Sequence, residues 1–308
     1  MKAVVAQQDS QGARVSLTDI PDPHAAENDV VVRVHAAGFT PGELDWPGTW
    51  ADRSGRDRSP SVPGHEVSGV VAELGYGTTG LTLGQRVFGV TDWARNGTLA
   101  EYVAVEARNL APLSADIDHV VAAALPISGL TAWQGLFVHG QISAGQSVLV
   151  HGAAGAVGSV AVQLAHEAGA RVIGSGRTGQ REEVLGFKAD DFVDLTADNL
   201  EDVGDVDVVF DVIGGEVLDR SAQLVRAGGV LVTIAEPPRV VPKGARAVFF
   251  VVEPDRAQLA LLERKLREGK IRQNVGRVLS LDDALSAFDP DYRTPGKTIV
   301  QVLEDASG

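Results

Sequence analysis

Three glycines at a spacing of three, Gly152, Gly155 and Gly158, directly follow the apolar run Ser147–His151 (SVLVH). Glycines at a strand-to-helix turn let the backbone approach a pyrophosphate with no Cβ in the way, and the N–H groups opening the next helix receive its negative charge. Ala153, Ala154 and Ala156 between them are also small, and an amphipathic stretch runs on from Val157 to Ala168. The segment therefore reads as strand, phosphate turn and helix, with Gly152, Ala154, Gly155, Ala156, Val157 and Gly158 as nucleotide contacts. The next strand, Arg171–Gly174, leads into Ser175-Gly176-Arg177-Thr178. An acid commonly holds an adenosine ribose 2′-hydroxyl at this point, and here there is none. A hydroxyl, a flexible glycine and a guanidinium suit a 2′-phosphate instead, so Ser175 and Arg177 are its expected ligands and NADPH the expected cofactor.

Other chemistries are excluded or weak. The chain has no cysteine, which removes disulfides, thiolate catalysis and Cys-ligated zinc. His65 and Glu66 follow a glycine in a zinc-type spelling, but catalytic zinc normally takes three protein ligands. No metal is expected, and His65 reads as a hydrogen-bonded residue. The seven histidines are scattered, with no Ser-His-Asp pattern. Lys and Arg number 27 against 41 Asp and Glu, a net charge of −14. Such a charge repels nucleic-acid phosphates and anionic membranes, so neither is expected as a partner. No run approaches the ~20 apolar residues of a membrane helix. The start, MKAVVAQQDSQG, lacks the apolar segment of a signal peptide. A cytoplasmic location is expected.

The elements that must position these residues fall into two textures. A chain of 308 residues suits two domains, and 44 % hydrophobic residues can bury a sizeable core. Residues 1–115 are β-rich and broken by Gly and Pro, with strands expected at Val30–Ala36, Val67–Leu74 and Arg86–Val90 and a long loop at Thr40–Pro63. From Val120–Leu125 the texture turns helical, and Ser128–His139 is expected as a helix. Strands then alternate with helices: Ser147–His151, Arg171–Gly174, Phe192–Leu195, Asp207–Asp211, Val230–Ala235 and Ala247–Val252, with a strong helix at Leu259–Glu268. This alternation predicts an α/β fold with a doubly wound parallel sheet. The tail returns to β texture at Arg277–Leu279 and Thr298–Leu303, so it is expected to rejoin the first domain. Arg246–Val252 reads as an apolar edge strand, which invites pairing into a homodimer.

A series of short motifs, in order along the chain, carries a family likeness. They are Ala36-Ala37-Gly38, Val62-Pro63-Gly64-His65-Glu66-Val67-Ser68-Gly69, Gly84-Gln85-Arg86-Val87, Gly97-Thr98-Leu99-Ala100-Glu101-Tyr102, Gly129-Leu130-Thr131-Ala132, the Ala153–Gly158 turn, Asp211-Val212-Ile213-Gly214-Gly215 and Gly296-Lys297. Taken together they make the chain resemble the medium-chain dehydrogenase/reductase superfamily over essentially its whole length. Within it the resemblance is to the zinc-independent NADPH quinone oxidoreductase (zeta-crystallin-like) and enoyl reductase branch.

The resemblance implies a discontinuous GroES-like catalytic domain, residues 1–123 with 273–308, and a Rossmann NADPH-binding domain, residues 124–272, with the cleft between them. It implies a nicotinamide near Thr40, Thr131, Ile234, Phe249 and Phe250, a cofactor contact at Ile213, and closure of the Lys297 region on the cofactor. Quinone reductases often have Asn-Pro where this chain has Thr40-Pro41, and the usual tyrosine of the following loop is missing, with Trp46 and Trp50 nearby. Thr40 is then the candidate hydrogen-bond donor to a developing enolate, and Trp46 and Trp50 the candidate wall for a planar substrate. The implied activity is metal-free hydride transfer from NADPH to a quinone or an activated C=C of an enone. Two alternatives stand beside it: a non-catalytic NADPH-binding redox sensor or structural protein, and an enoyl or polyketide reductase dedicated to one pathway.

Overall fold

The computed structural model describes residues 1–9, 12–289, 291 and 294–303. These cluster into two units. The first comprises Met1–Pro126, Pro254–Arg267 and Val275–Gly308, whose last five residues lie outside the described ones; the second comprises Ile127–Glu253 and Glu268–Asn274.

The first unit opens with a hairpin, β1 (Lys2–Asp9) and β2 (Gly12–Asp19), paired antiparallel. Its central strand is β3 (Asp29–Phe39), where Val30–Val32, Val34 and Ala36–Phe39 are all buried and only Arg33 is exposed. Such a strand is covered on both faces, which explains its continuous rather than alternating apolar run. The expected loop after it contains one turn of 3₁₀ helix, Glu43–Asp45, and the short helix α1 (Pro47–Trp50). Strands β4 (Glu66–Leu74), β5 (Arg86–Val90), β6 (Tyr102–Glu106) and β7 (Leu110–Pro112) follow, then helix α2 (His119–Ala123), capped by the Asp118 side chain.

The second unit begins in α3 (Pro126–Trp133), which does not run on to His139 as an α-helix. Gln134–His139 is a π-helical turn. The Gln134 amide pairs with both backbone groups of Glu253, at 2.8 and 3.1 Å, and Gly140 N–H reaches back to the Gly135 carbonyl. The sheet elements are β8 (Ser147–Val150), α4 (Ala156–Glu167), β9 (Arg171–Gly176), α5 (Arg181–Gly186), β10 (Asp191–Asp194), β11 (Val206–Asp211), α6 (Gly215–Ser221), β12 (Val225–Thr233) and β13 (Arg246–Phe249). The six strands lie in the order β10-β9-β8-β11-β12-β13, and every neighbouring pair is parallel. Counted from β8 this is the order 3-2-1-4-5-6 of a dinucleotide-binding fold, with the strand order reversing between β8 and β11. Leu149, Ile173, Val209 and Leu231 are register partners across four strands and form one buried layer.

The chain returns to the first unit through α7 (Arg256–Arg267), β14 (Val275–Ser280) and β15 (Lys297–Gln301). From the sequence this helix is expected in the nucleotide-binding domain. It belongs with the first unit: Glu263 accepts the Ser114 N–H at 3.3 Å, and Arg256 donates to the Gly80 carbonyl at 2.9 Å. The first unit's sheet runs β14-β15-β3-β4-β5-β7, with β6 also paired to β3. No helix among the described residues is long and apolar enough to cross a membrane.

Candidate functional site

The carboxyl edge of the parallel sheet gathers most of the expected nucleotide contacts. After β8, Gly152 takes a left-handed conformation, φ 65°, that admits glycine readily. Gly155 N–H closes the turn on the Gly152 carbonyl at 2.9 Å, and α4 starts at Ala156. No side chain caps this helix, so its first N–H groups remain for another acceptor. A Cβ on Gly158 would lie 2.2 Å from the Gly152 carbonyl oxygen, so only glycine lets the helix press against the turn. Asn274 holds the turn from outside, donating to the Ala154 carbonyl and to Glu183 at 3.0 and 2.8 Å. Gly155 is exposed and Gly152, Ala156 and Val157 half-buried, whereas Ala154 and Gly158 are buried.

At the end of β9 the two expected phosphate ligands part company. Ser175 is fully buried, its hydroxyl 2.6 Å from His151 Nδ1. The other ring nitrogen, Nε2, lies 2.7 Å from the Ser221 hydroxyl, which itself donates to the Val217 carbonyl at 2.6 Å. Ser221 has one proton and spends it on Val217, so it accepts from His151 Nε2–H, and bare Nδ1 accepts from Ser175. Burial pushes the His151 imidazole down to about 3, so it stays neutral. The Ser175 hydroxyl is thus committed to a core hydrogen bond and is corrected from the list of phosphate ligands. Arg177 is exposed, with its backbone N–H held by Gln180 at 2.7 Å, and its guanidinium forms no ion pair among the described residues. The loop beyond is tied by Thr178 to Asp194 at 2.7 Å; the Thr196 and Thr178 hydroxyls keep that carboxyl below its usual range.

Ile213 follows β11 and is exposed, in a turn built on Asp211. The Asp211 carboxyl accepts from the Ile213 and Gly214 N–H groups and from the Thr233 hydroxyl at 2.8 Å; burial nonetheless pushes its pKa up. Ile234 and Phe249 lie at the ends of β12 and β13, Phe249 being exposed. Phe250 is buried, its ring 4.5 Å from that of His139, and Thr131 is buried within α3.

In the first unit three strand ends converge. Register pairs Gly38 of β3 with Glu66 of β4, and Phe39 of β3 with Thr298 of β15. This places Thr40, the residue just after β3, beside the first residues of the other two. Lys297 Nζ donates to Thr40 Oγ1 at 3.0 Å and forms an ion pair with Glu66. Lys297 is 6 % exposed and Glu66 is 0 % exposed. A Cβ on Gly38 would meet a Glu66 carboxylate oxygen at 2.5 Å and the Ala123 carbonyl at 2.7 Å, so glycine makes room for the buried carboxylate. The Thr40 N–H donates to Glu43 Oε1 at 3.0 Å, and Gly64 N–H donates to Glu43 Oε2 at 2.6 Å. Glu43 Oε2 also lies 3.4 Å from His65 Nδ1.

The rings of Trp46, Trp93 and His65 form one cluster, with centroids 5.5 Å (Trp46–His65), 4.9 Å (Trp93–His65) and 5.4 Å (Trp46–Trp93) apart. Trp50 instead donates its indole N–H to the Leu44 carbonyl at 2.6 Å and pins the loop. Glu43, Trp93 and the Lys297 contact to Thr40 were not anticipated; nothing local in the sequence marks them, because each depends on strand register or loop closure. Among the described residues no three His, Asp or Glu side chains converge, and Glu66 is already neutralised by Lys297.

A parallel sheet in dinucleotide-binding order with a glycine phosphate turn in one unit, and a β-rich sheet with a buried polar cluster in the other, define the dehydrogenase/reductase class. Residues 26–115 match the family model "Alcohol dehydrogenase GroES-like domain" and residues 187–300 match "Zinc-binding dehydrogenase". The chain is 34 % identical over 302 residues to the chloroplastic NADPH-dependent alkenal/one oxidoreductase of Arabidopsis thaliana, covering 92 % of this chain and 74 % of the relative. It is 34 % identical over 301 residues to the 2-methylene-furan-3-one reductase of Solanum lycopersicum, covering 93 % and 75 %. Among solved structures, the quinone oxidoreductase from Coxiella burnetii superposes with a TM-score of 0.88 at 25 % identity, over 98 % of this chain and 99 % of that one. The chain belongs to the medium-chain dehydrogenase/reductase superfamily, in its quinone oxidoreductase branch.

Proposed function

We propose that this protein is an NADPH-dependent reductase of conjugated acceptors, enones and alkenals first and quinones second, working without a metal ion. One observation carries the reading: the donor that the catalytic unit offers is a neutral hydroxyl, Thr40, held in place by a buried lysine. A hydroxyl is enough for a conjugated acceptor, whose developing charge is already delocalised, whereas an isolated carbonyl gains more from a Lewis acid. Two relatives whose names specify NADPH or an unsaturated ketone support the same reading.

Bound NADPH supplies the hydride. The Gly152–Gly158 turn and the start of α4 would hold its pyrophosphate, Arg177 its 2′-phosphate, and Ile213, Ile234 and Phe249 the rest of the nucleotide. When the β-carbon of the enone gains the hydride, the C=C electron pair shifts to the bond between the α-carbon and the carbonyl carbon and the carbonyl π pair moves onto oxygen, which accepts a hydrogen bond from Thr40. Solvent water then protonates the α-carbon. Trp46, with Trp93 in place of Trp50, forms the apolar wall for a planar substrate. The enzyme is further proposed to be a cytoplasmic homodimer paired through β13, whose outer edge has no strand partner among the described residues; Phe249 at its end and Val251 just beyond it are exposed.

The test is an NADPH-oxidation screen of alkenals, enones and quinones against saturated aldehydes and ketones. Turnover confined to the conjugated compounds is expected. Turnover of saturated carbonyls alone would refute the reading, and NADPH binding with no turnover across the panel would favour a redox sensor.

A further inference from the structure

We infer that Lys297, paired with Glu66, is a positioning residue that turns the Thr40 hydroxyl into an outward-facing, polarised donor for the substrate's oxyanion. The inference rests on the reading above and adds to it the source of Thr40's strength and direction. An ammonium has three donors and no acceptor. In the Lys297–Thr40 contact the hydroxyl oxygen must therefore accept, and its own proton must point elsewhere. Among the described residues the Thr40 hydroxyl has no acceptor, and Thr40 is half-buried rather than enclosed. The result is a donor whose oxygen is fixed from behind by a cation and whose proton is left for a ligand.

Three features of the fold hold the Lys297–Thr40 contact in place. Glu66, wholly buried, pairs with Lys297 and fixes its charge at the start of β15. The absence of a Cβ at Gly38 gives that carboxylate its space. Glu43 accepts the Thr40 backbone N–H, so the Thr40 main chain cannot swing away from the lysine. In the low local dielectric a hydrogen bond from a charged donor polarises the hydroxyl, and the hydroxyl in turn donates more strongly. Lys297 does this with its charge fully balanced by Glu66, so the site gains a directed donor and no net charge. The cofactor role that the family resemblance implied for Lys297 is replaced by this one, since its ammonium is already engaged within the first unit.

The experiment uses a neutral pair, Lys297→Met with Glu66→Gln, because removing Lys297 alone would strand a buried carboxylate and destabilise the fold. Four full-length proteins are compared: wild type, the neutral pair, Thr40→Val, and the neutral pair combined with Thr40→Val. With an enone substrate, Thr40→Val is expected to lower kcat about 100-fold, as for loss of one oxyanion donor, and the neutral pair about tenfold. The combined variant should be no slower than Thr40→Val, since Lys297 acts through that oxygen. The dissociation constant for NADPH, read by fluorescence, should change less than about twofold, within the scatter expected of independent sites. A readout independent of turnover is the absorbance of 4-nitrophenol titrated onto each protein. Wild type should favour the bound phenolate, and both the neutral pair and Thr40→Val should lose that preference.

Losses in the neutral pair and Thr40→Val that multiply in the combined variant would overturn the inference. So would a neutral pair with wild-type kcat, or one whose only defect is weaker NADPH binding. If wild type reduces no conjugated acceptor, the proposed function fails, while the phenolate titration still decides whether Lys297 polarises Thr40.

Discussion

His151 sits where two parts of the nucleotide edge meet, and its protonation behaviour tests that geometry. It is the residue between β8 and the phosphate turn, and it binds the hydroxyl of Ser175 near the end of the neighbouring strand. The ring is completely buried and its pKa is pushed from 6.5 down to about 3 by burial. In the unfolded chain the imidazole takes up a proton below about pH 6.5, whereas in the folded chain it resists until about pH 3. Over that window the unfolded state binds more protons, so folding stability rises with pH and is lost as the pH falls. At pH 4.5, two pH units below the ordinary imidazole value, the penalty is about 2.7 kcal/mol at about 1.4 kcal/mol per unit. The perturbation is His151→Gln, whose amide can still donate to one serine and accept from the other but does not titrate. Urea unfolding of wild type and variant at pH 8 and pH 4.5 measures the term. Wild type should lose about 2.7 kcal/mol more than the variant between the two pH values. Other groups, such as Asp211 with its raised pKa, are common to both proteins and cancel in the difference. An equal loss in the two proteins would refute the buried neutral imidazole, and with it the assignment of the Ser175 proton.

The remaining predictions concern ligands, packing and assembly. Arg177→Ala should weaken NADPH binding about tenfold, the lower end for a charged hydrogen bond because the side chain is exposed, and leave NADH unchanged. Ser175→Ala should lower the melting temperature without altering the NADPH-to-NADH preference, and equal weakening of both nucleotides in Arg177→Ala would mean that Arg177 only supports its loop. Gly158→Ala drives a Cβ against the Gly152 carbonyl and should cost about 1–3 kcal/mol of stability along with NADPH affinity; calorimetry giving wild-type values for both would refute the close helix approach. Exhaustive chelation should leave turnover intact, and stoichiometric zinc whose removal abolishes activity would contradict the metal-free reading. Val251→Glu places a charge beside the open edge of β13 and should convert a dimer to a monomer by light scattering; a monomeric wild type at micromolar concentration would reject the pairing.

Strand β5 occupies Arg86–Val90 as its composition indicated, and the expected helix Val157–Ala168 is α4 shifted by one residue. The glycine turn stands between a buried strand and a helix, as its spacing required. These features are set by side-chain periodicity and by glycine's missing Cβ, both of which act within a few residues. The hairpin β1–β2 went unnoticed because Ala3, Val4, Val5 and Ala6 are all buried, and a short run covered on both faces has no period to detect.

The candidate site was legible as residue types and not as roles. Ser175, Gly176 and Arg177 are adjacent in the chain, yet Ser175 lies within β9 with its hydroxyl in the core, while Arg177 lies past the strand's end, in the turn held by Gln180, and stays exposed. Lys297 was marked only by the Gly296-Lys297 motif of the family resemblance, and its partners Thr40 and Glu66 lie over two hundred residues away along the chain. Sequence alone determined that this chain makes a parallel nucleotide-binding sheet and a cysteine-free β-rich partner unit, because those follow from local pattern and composition. Only the tertiary structure decided which polar groups are spent inside and which stay free. Hydrogen-bond commitment depends on strand register between segments far apart in sequence, and a one-residue slip in register would turn each of those side chains to the opposite face of the sheet.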